Sequence, residues 1–210
     1  MQIVLYTAPT EIDNEIEIIS TLFENGIDYL YLRKPELDDF SLVDFVEQIP
    51  EKYWSKCIAT SLIITKEFDL AGYHFTQESL QKNTNYNQKI LEWLHGNNKI
   101  SSASAHSIEE LNRHAGQFKH VMVAPVFPSI SKENHFYNWD FETLSKQIAT
   151  HKSQNTTSRF FAVGGVDATK INEIQTLNFD GIGLLGAIWN SPANATENFN
   201  NLLQNIHHGK

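Results

Sequence analysis

Several short clusters in this 210-residue chain carry side chains suited to a phosphorylated ligand. The densest spans Val121 to Lys132, VMVAPVFPSISK. Its apolar, β-branched start reads as a strand buried on both faces. Pro125 and Pro128 cannot donate to a ladder, so pairing must stop there. Ser129, Ser131 and Lys132 then place two hydroxyls and a fixed positive charge just past a strand end. Such donors, with backbone N–H groups, suit a phosphate oxyanion. A Pro-rich turn with solvated Ser and Lys has the same composition, so this segment alone does not decide between the two.

Other clusters end other apolar runs. Arg33-Lys34 follows Tyr29–Leu32, and His74 lies within Gly72–Phe75, ahead of Thr76-Gln77. Ser102, Ser104 and His106 fall within SSASAH. Gly164-Gly165 follows Phe160–Val163, and Gly183 and Gly186 lie in and just past Gly181–Leu185. Glycines at strand ends expose backbone N–H groups near helix starts, where phosphates bind. His74 and His106 are candidates for proton transfer because imidazole titrates near neutral pH. A hydrogen-bonded structural role is the alternative for each, and the more common one for a histidine.

These clusters need a scaffold that gathers strand ends. Eight runs read as strands: Ile3–Tyr6, Tyr29–Leu32, Cys57–Thr60, Gly72–Phe75, Ile100–Ser104, Val121–Ala124, Phe160–Val163 and Gly181–Leu185. Helical periods lie between most of them. Ile12, Ile16, Ile19, Leu22 and Phe23 recur at spacings of three and four, and Phe40, Val43, Phe45 and Val46 follow an acidic start at Asp38-Asp39. Ser107 and Glu110 form a capping-box pattern, and Asp167 caps a further helix. The third connection is short, and Leu62-Ile63-Ile64 reads as either helix or strand. The Asn-rich stretch 81–98 reads as a surface loop with a short helix at Ile90–Leu94. The tail from Ala193 to Ile206 reads as a closing helix, with a frayed end at His207-His208-Gly209-Lys210. Alternation of eight strands with helices predicts a (β/α)8 barrel as one domain over residues 1–210, in which the strand ends meet at one mouth. A doubly wound sheet is the alternative.

Hydrophobic residues at 41% and charged residues at 20% are an ordinary globular balance. A net charge of −9 argues against general nucleic-acid binding, which needs a basic surface. One cysteine, Cys57, excludes an internal disulfide framework and fits a reducing compartment. No basic leader and no run of about 18 apolar residues is present, so the expectation is a soluble cytoplasmic protein that acts on small molecules rather than membranes.

Six stretches stand in the order found in the thiamine phosphate synthase family, which includes the thiazole tautomerase paralogues. They are Tyr31–Lys34, Gly72–Gln77, Ser104–Ser107, Pro125–Lys132, Ala162–Val166 and Gly181–Ile188. The chain resembles that family over nearly its whole length. The resemblance implies a (β/α)8 barrel and phosphorylated small-molecule substrates. It also implies a reaction in which an aminomethylpyrimidine diphosphate joins a thiazole phosphate and diphosphate leaves, helped by Mg2+. It carries Ser129, Ser131, Gly164, Gly165 and Gly186 onto the thiazole-phosphate grip, with the last commonly serine in the family. It carries Arg33, Ser104 and Lys132 onto the diphosphate.

The departures fall on the metal half. The family's Asn-Asp pair is Thr60-Ser61 here, or Thr65-Lys66 in a shifted register, and the second acidic ligand is Ser79 beside Glu78. Tyr31 stands for a glutamine and Pro35 for a lysine. Mg2+ is therefore implied by resemblance but lacks its usual carboxylates. The tautomerases place a catalytic histidine where this chain has Pro125. Synthase-like coupling is the first expectation. A tautomerase-type isomerase and a non-catalytic thiazole or thiamine phosphate binder are the alternatives.

Overall fold

The apolar runs form eight parallel strands that close on themselves in the computed structural model, which describes residues 1–82, 84–128, 139–154 and 156–208. The strands are β1 (Gln2–Tyr6), β2 (Tyr29–Leu32), β3 (Cys57–Ala59), β4 (Gly72–Phe75), β5 (Ile100–Ala105), β6 (His120–Val123), β7 (Arg159–Val163) and β8 (Gly181–Leu184). Each pairs with its neighbour in sequence, and β8 returns to β1 with Ile3 opposite Ile182 and Leu5 opposite Leu184. This is the (β/α)8 barrel, and the doubly wound alternative falls away.

Alternation along the strands sorts side chains into two layers. On β1, Ile3 and Leu5 join the large shell between strands and helices. Val4 and Tyr6 join a smaller cluster inside the barrel with Tyr31, Ile58, Met122 and Phe161. Both faces are dry, so the strands read as continuous apolar runs.

The helices are α1 (Glu15–Glu24), α2 (Asp39–Gln48), α3 (Leu62–Glu67), α4 (Gln77–Lys82), α5 (Thr84–Gly96), α6 (Ile108–His114), α7 (Phe141–Ser153), α8 (Ile171–Thr176), α9 (Gly186–Trp189) and α10 (Ala195–His208). Caps account for several starts. The Asp38 carboxylate accepts from the Ser41 N–H, and Ser107 Oγ accepts from the Glu110 N–H at 3.1 Å. Glu110 returns its carboxylate to the His106 N–H rather than to that of Ser107. Asp167 caps a short 3-10 turn, Ala168–Lys170, that leads into α8.

Four local expectations change. Leu62-Ile63-Ile64 is helix: Ser61 caps it, and the helical turn buries Ile64 while leaving Ile63 exposed. Residues 81–98 are mostly helix, because Ile90, Leu91 and Leu94 form one narrow buried stripe amid polar residues. On α2 the buried positions are Leu42 and Val46, whereas Phe40 is 85% exposed. The tail stays helical through His208. Cys57 is fully buried, its thiol donates to the Tyr53 carbonyl, and burial pushes its pKa up to about 12. Among the described residues no helix is long and apolar enough to cross a membrane.

Close strand approach shows at Gly72, where a β-carbon would stand 2.1 Å from the Ile100 carbonyl oxygen. Overpacking against backbone leaves little room to relax. Gly72→Ala is expected to destabilise the fold by at least about 2 kcal/mol in urea unfolding. An unchanged midpoint would mean that β4 and β5 can separate without penalty.

Candidate active site

The strand ends that carry chemistry meet at one mouth, and local bonds fix how they do so. Arg33 is the first residue past β2, and its backbone N–H donates to Thr7 Oγ1 at 2.9 Å, which ties the ends of β1 and β2 together. Lys34 does not serve the mouth. Its ammonium lies 2.5 Å from the Glu15 carboxylate and also donates to the Thr10 carbonyl. Both side chains are buried, at 7% and 6% exposure, and Glu15 also accepts from the Ala8 N–H. Burial pushes the Glu15 carboxyl above its usual range, with Lys34 pulling against it. Of the two cations past β2, Arg33 is the one outside this ion pair.

On the opposite wall the loops after β6 and β7 are zipped together. The Val126 N–H donates to the Val163 carbonyl at 2.9 Å, and the Phe127 N–H to the Gly164 carbonyl at 3.1 Å. The Ala124–Pro125 peptide is cis, and Trp139 Nε1 donates to the Pro125 carbonyl. Gly164 and Gly165 have φ of 87° and 65°, in the left-handed region that favours glycine. A β-carbon on Gly165 would stand 2.4 Å from the Pro128 carbonyl oxygen. The segment that leads into Ser129, Ser131 and Lys132 therefore rests on the Gly164-Gly165 turn. Those three residues lie outside the described residues. Gly186 opens α9 just past β8, and Trp189 Nε1 pins that turn to the Tyr6 carbonyl at 2.7 Å.

Between these walls stand the β4 and β5 ends. His106 is exposed, and its Nδ1 lies 2.6 Å from the Ala124 carbonyl oxygen. A carbonyl only accepts, so Nδ1 carries the proton and a neutral ring keeps Nε2 as its basic nitrogen. Ser104 is half-buried on β5. His74 is half-buried on β4 and bonds through Nδ1 to Ser102 Oγ at 2.9 Å. Burial, reinforced by Arg33 and His106, lowers its pKa to about 4, so its ring is neutral at pH 7.

Behind His74, Ser102 bonds to the Tyr31 hydroxyl and Tyr31 to His120. Burial pushes the Tyr31 hydroxyl well above its ordinary value and lowers His120 to about 3. Sequence reasoning missed His120. The available signal was a histidine opening an otherwise apolar strand, HVMV.

The residues at the family's metal positions do not fit Mg2+. Ser61 Oγ is committed to capping α3, and Thr65 Oγ1 donates to the Ser61 carbonyl. Ser79 Oγ donates to the Thr76 carbonyl, and Glu78 pairs with Lys82 on the exposed side of α4. Among the described residues no group of three or more His, Cys, Asp or Glu is placed to hold a metal. A cleft of 650 Å3 opens at the other end of the barrel, lined by Gln2, Lys152, Ser158, Arg159 and Asp180. Its lysine is paired with Asp180 at 2.7 Å, and none of the strand-end residues borders it.

Comparison with known proteins gives the family of the chain. The family profile described as thiamine monophosphate synthase matches residues 3–188. The chain belongs to that family. No curated protein sequence matches it. A thiamine phosphate pyrophosphorylase from Bacteroides thetaiotaomicron is similar at 24% identity and a TM-score of 0.73, over 99% of this chain and 98% of that one. One from Pyrococcus furiosus has 15% identity and a TM-score of 0.78, over 99% and 96%. A 3-hexulose-6-phosphate synthase from Salmonella typhimurium has 10% identity and a TM-score of 0.72 over the full length of both. At such identities the solved structures establish the fold, while membership of the thiamine monophosphate synthase family rests on the profile.

The depressed histidines link stability to pH. A neutral His74 or His120 resists a proton that the unfolded chain accepts near pH 6.5. The unfolded state therefore binds more protons between about pH 6.5 and 4, and stability must fall as pH falls through that window. His120→Gln is expected to reduce the protons linked to unfolding at pH 5 by about one, measured from urea midpoints across pH. An unchanged pH slope would mean that His120 titrates normally in the fold.

Proposed function

We propose that the mouth couples an aminomethylpyrimidine diphosphate with a thiazole phosphate to form thiamine phosphate. The carbon–oxygen bond to the diphosphate breaks and its electron pair leaves with the diphosphate. The thiazole nitrogen supplies the pair for the new carbon–nitrogen bond. Gly164, Gly165 and Gly186, with Ser129 and Ser131, grip the thiazole phosphate. Arg33, Ser104 and Lys132 stabilise the departing diphosphate, whose charge grows in the transition state. His106, with its tautomer fixed by Ala124, and His74 are the groups for hydrogen bonding or proton transfer at the substrate.

The observation that carries this reading is the junction of Pro125–Pro128 with the Gly164-Gly165 turn. It sets the start of the serine–lysine segment against the glycines, across the mouth from Arg33. Family membership supplies the chemistry. Mg2+ would shield the diphosphate in such a reaction, but the residues at its positions do not fit it, and no step here relies on it. The two cations then carry more of the charge. The whole chain acts as one domain, and a reducing cytoplasmic setting suits its free buried thiol.

The test is formation of thiamine phosphate from the two substrates, with and without saturating Mg2+. Slow coupling is expected from wild type. Loss of one preorganised donor from such a site lowers turnover by about 10²–10³. Arg33→Ala should fall by that factor while still binding thiazole phosphate. Absence of product at saturating Mg2+ would overturn the coupling reaction.

A further inference from the structure

Below the mouth, four polar side chains from four strands form one line through the barrel. His120 Nδ1 lies 3.1 Å from the Tyr31 hydroxyl, which lies 2.9 Å from Ser102 Oγ, which lies 2.9 Å from His74 Nδ1. Tyr31, Ser102 and His120 are 1%, 0% and 4% exposed. Their surroundings are apolar or aromatic. The His120 ring packs against Phe161 and edge-on to Tyr29, and Tyr31 packs against Tyr6 and edge-on to His74. An apolar plug of the same shape would fill this space with little loss of stability, since paired buried polar groups gain little net energy over apolar ones. What a fully bonded polar line adds is a unique arrangement of its members.

We propose that Tyr31, Ser102 and His120 are positioning residues for His74, holding its Nδ1 turned into the barrel so that the Nε2 edge serves the mouth as a hydrogen-bonding group for the heteroaromatic ring of the ligand. The heteroaromatic ligand rests on the function proposed above; the positioning itself does not.

Proton counting supports the coupling. Each hydroxyl has one proton and two neighbours in the line. Three bonds need three protons, and the hydroxyls supply two. One histidine must therefore donate from Nδ1 while the other accepts there. The tautomer of His74 is thus tied, through Ser102 and Tyr31, to that of His120. The titratable groups acting on His74 are Arg33 past β2, His106 past β5 and His114 on α6, and each, when charged, disfavours its protonation. Arg33 and His106 both stand at strand ends, so His74 is the member of the line that meets the mouth. Arg159 and Lys119 act the same way on His120. Both rings are neutral at pH 7, so Nε2 of His74 is either an N–H donor or a lone pair, and the direction of the line selects which.

The experiment uses Tyr31→Phe and Ser102→Ala, which keep the packed volume nearly unchanged. Imidazole nitrogen NMR on the ligand-free protein reads the tautomer directly. Wild type should show His74 as one tautomer with well-separated nitrogen shifts, and both variants should move these toward the average of the two forms. Calorimetry then compares thiamine phosphate with inorganic phosphate. Loss of one aligned hydrogen bond predicts about 3- to 10-fold weaker thiamine phosphate binding in both variants, with inorganic phosphate unchanged. Both variants should also melt earlier, because each leaves a buried polar atom unpaired, and a packing role alone would do the same. Unchanged His74 shifts, or equal weakening of both ligands, would overturn the proposal. A wild type that binds neither ligand would sink the proposed function, and the NMR comparison would still decide the positioning.

Discussion

The pairing of β8 with β1 closes the sheet and seals a dry interior, and every polar group inside must answer to that dryness. Closure removes both sheet edges, so the backbone is satisfied without water. Glycine makes the seam possible. A β-carbon on Gly181 would stand 2.5 Å from the Phe161 ring and 2.6 Å from the Gln2 carbonyl oxygen. Phe161, Tyr6 and Val163 fill the volume that Gly181 and Gly183 leave open. In this setting an unpaired hydroxyl or imidazole would be costly, which is why Tyr31, Ser102, His74 and His120 occur as a connected line.

The same constraint divides labour at the mouth. Lys34 and Glu15 neutralise each other in a buried pair that fastens the loops after β1 and β2. Among the described residues, Arg33 stands outside that pair on one wall. On the other wall, two backbone bonds and two left-handed glycines set the loop after β6 on the turn after β7. Arg33 and the Gly164-Gly165 turn thus stand on opposite sides of one opening.

Most of the barrel was legible in the sequence because its strands are buried on both faces, and each strand lies within about a residue or two of its expected bounds. Legibility failed where burial is narrow. The buried stripe of α5 is three apolar residues in a polar, Asn-rich stretch, which hides a helix behind a loop-like composition. The short third connection was ambiguous because Leu62-Ile63-Ile64 fits both periods, and only the Ser61 cap resolves it. At the site, Arg33, Ser104, His106 and the glycines were recognisable as strand-end residues. The commitment of Lys34 to Glu15 was not, because that contact joins residues 19 positions apart through a fold-dependent approach. The partnership of His120 with Tyr31 spans 89 positions and leaves no local trace.

The central claim is that the mouth, and not the cleft at the other end of the barrel, receives the phosphate. A crystal structure with thiamine phosphate bound tests this most directly. The account predicts the phosphate against Gly164, Gly165 and Gly186, with the heteroaromatic portion directed toward His74 and Arg33. Phosphate seated instead among Lys152, Ser158 and Arg159, with the mouth holding only solvent, would contradict it.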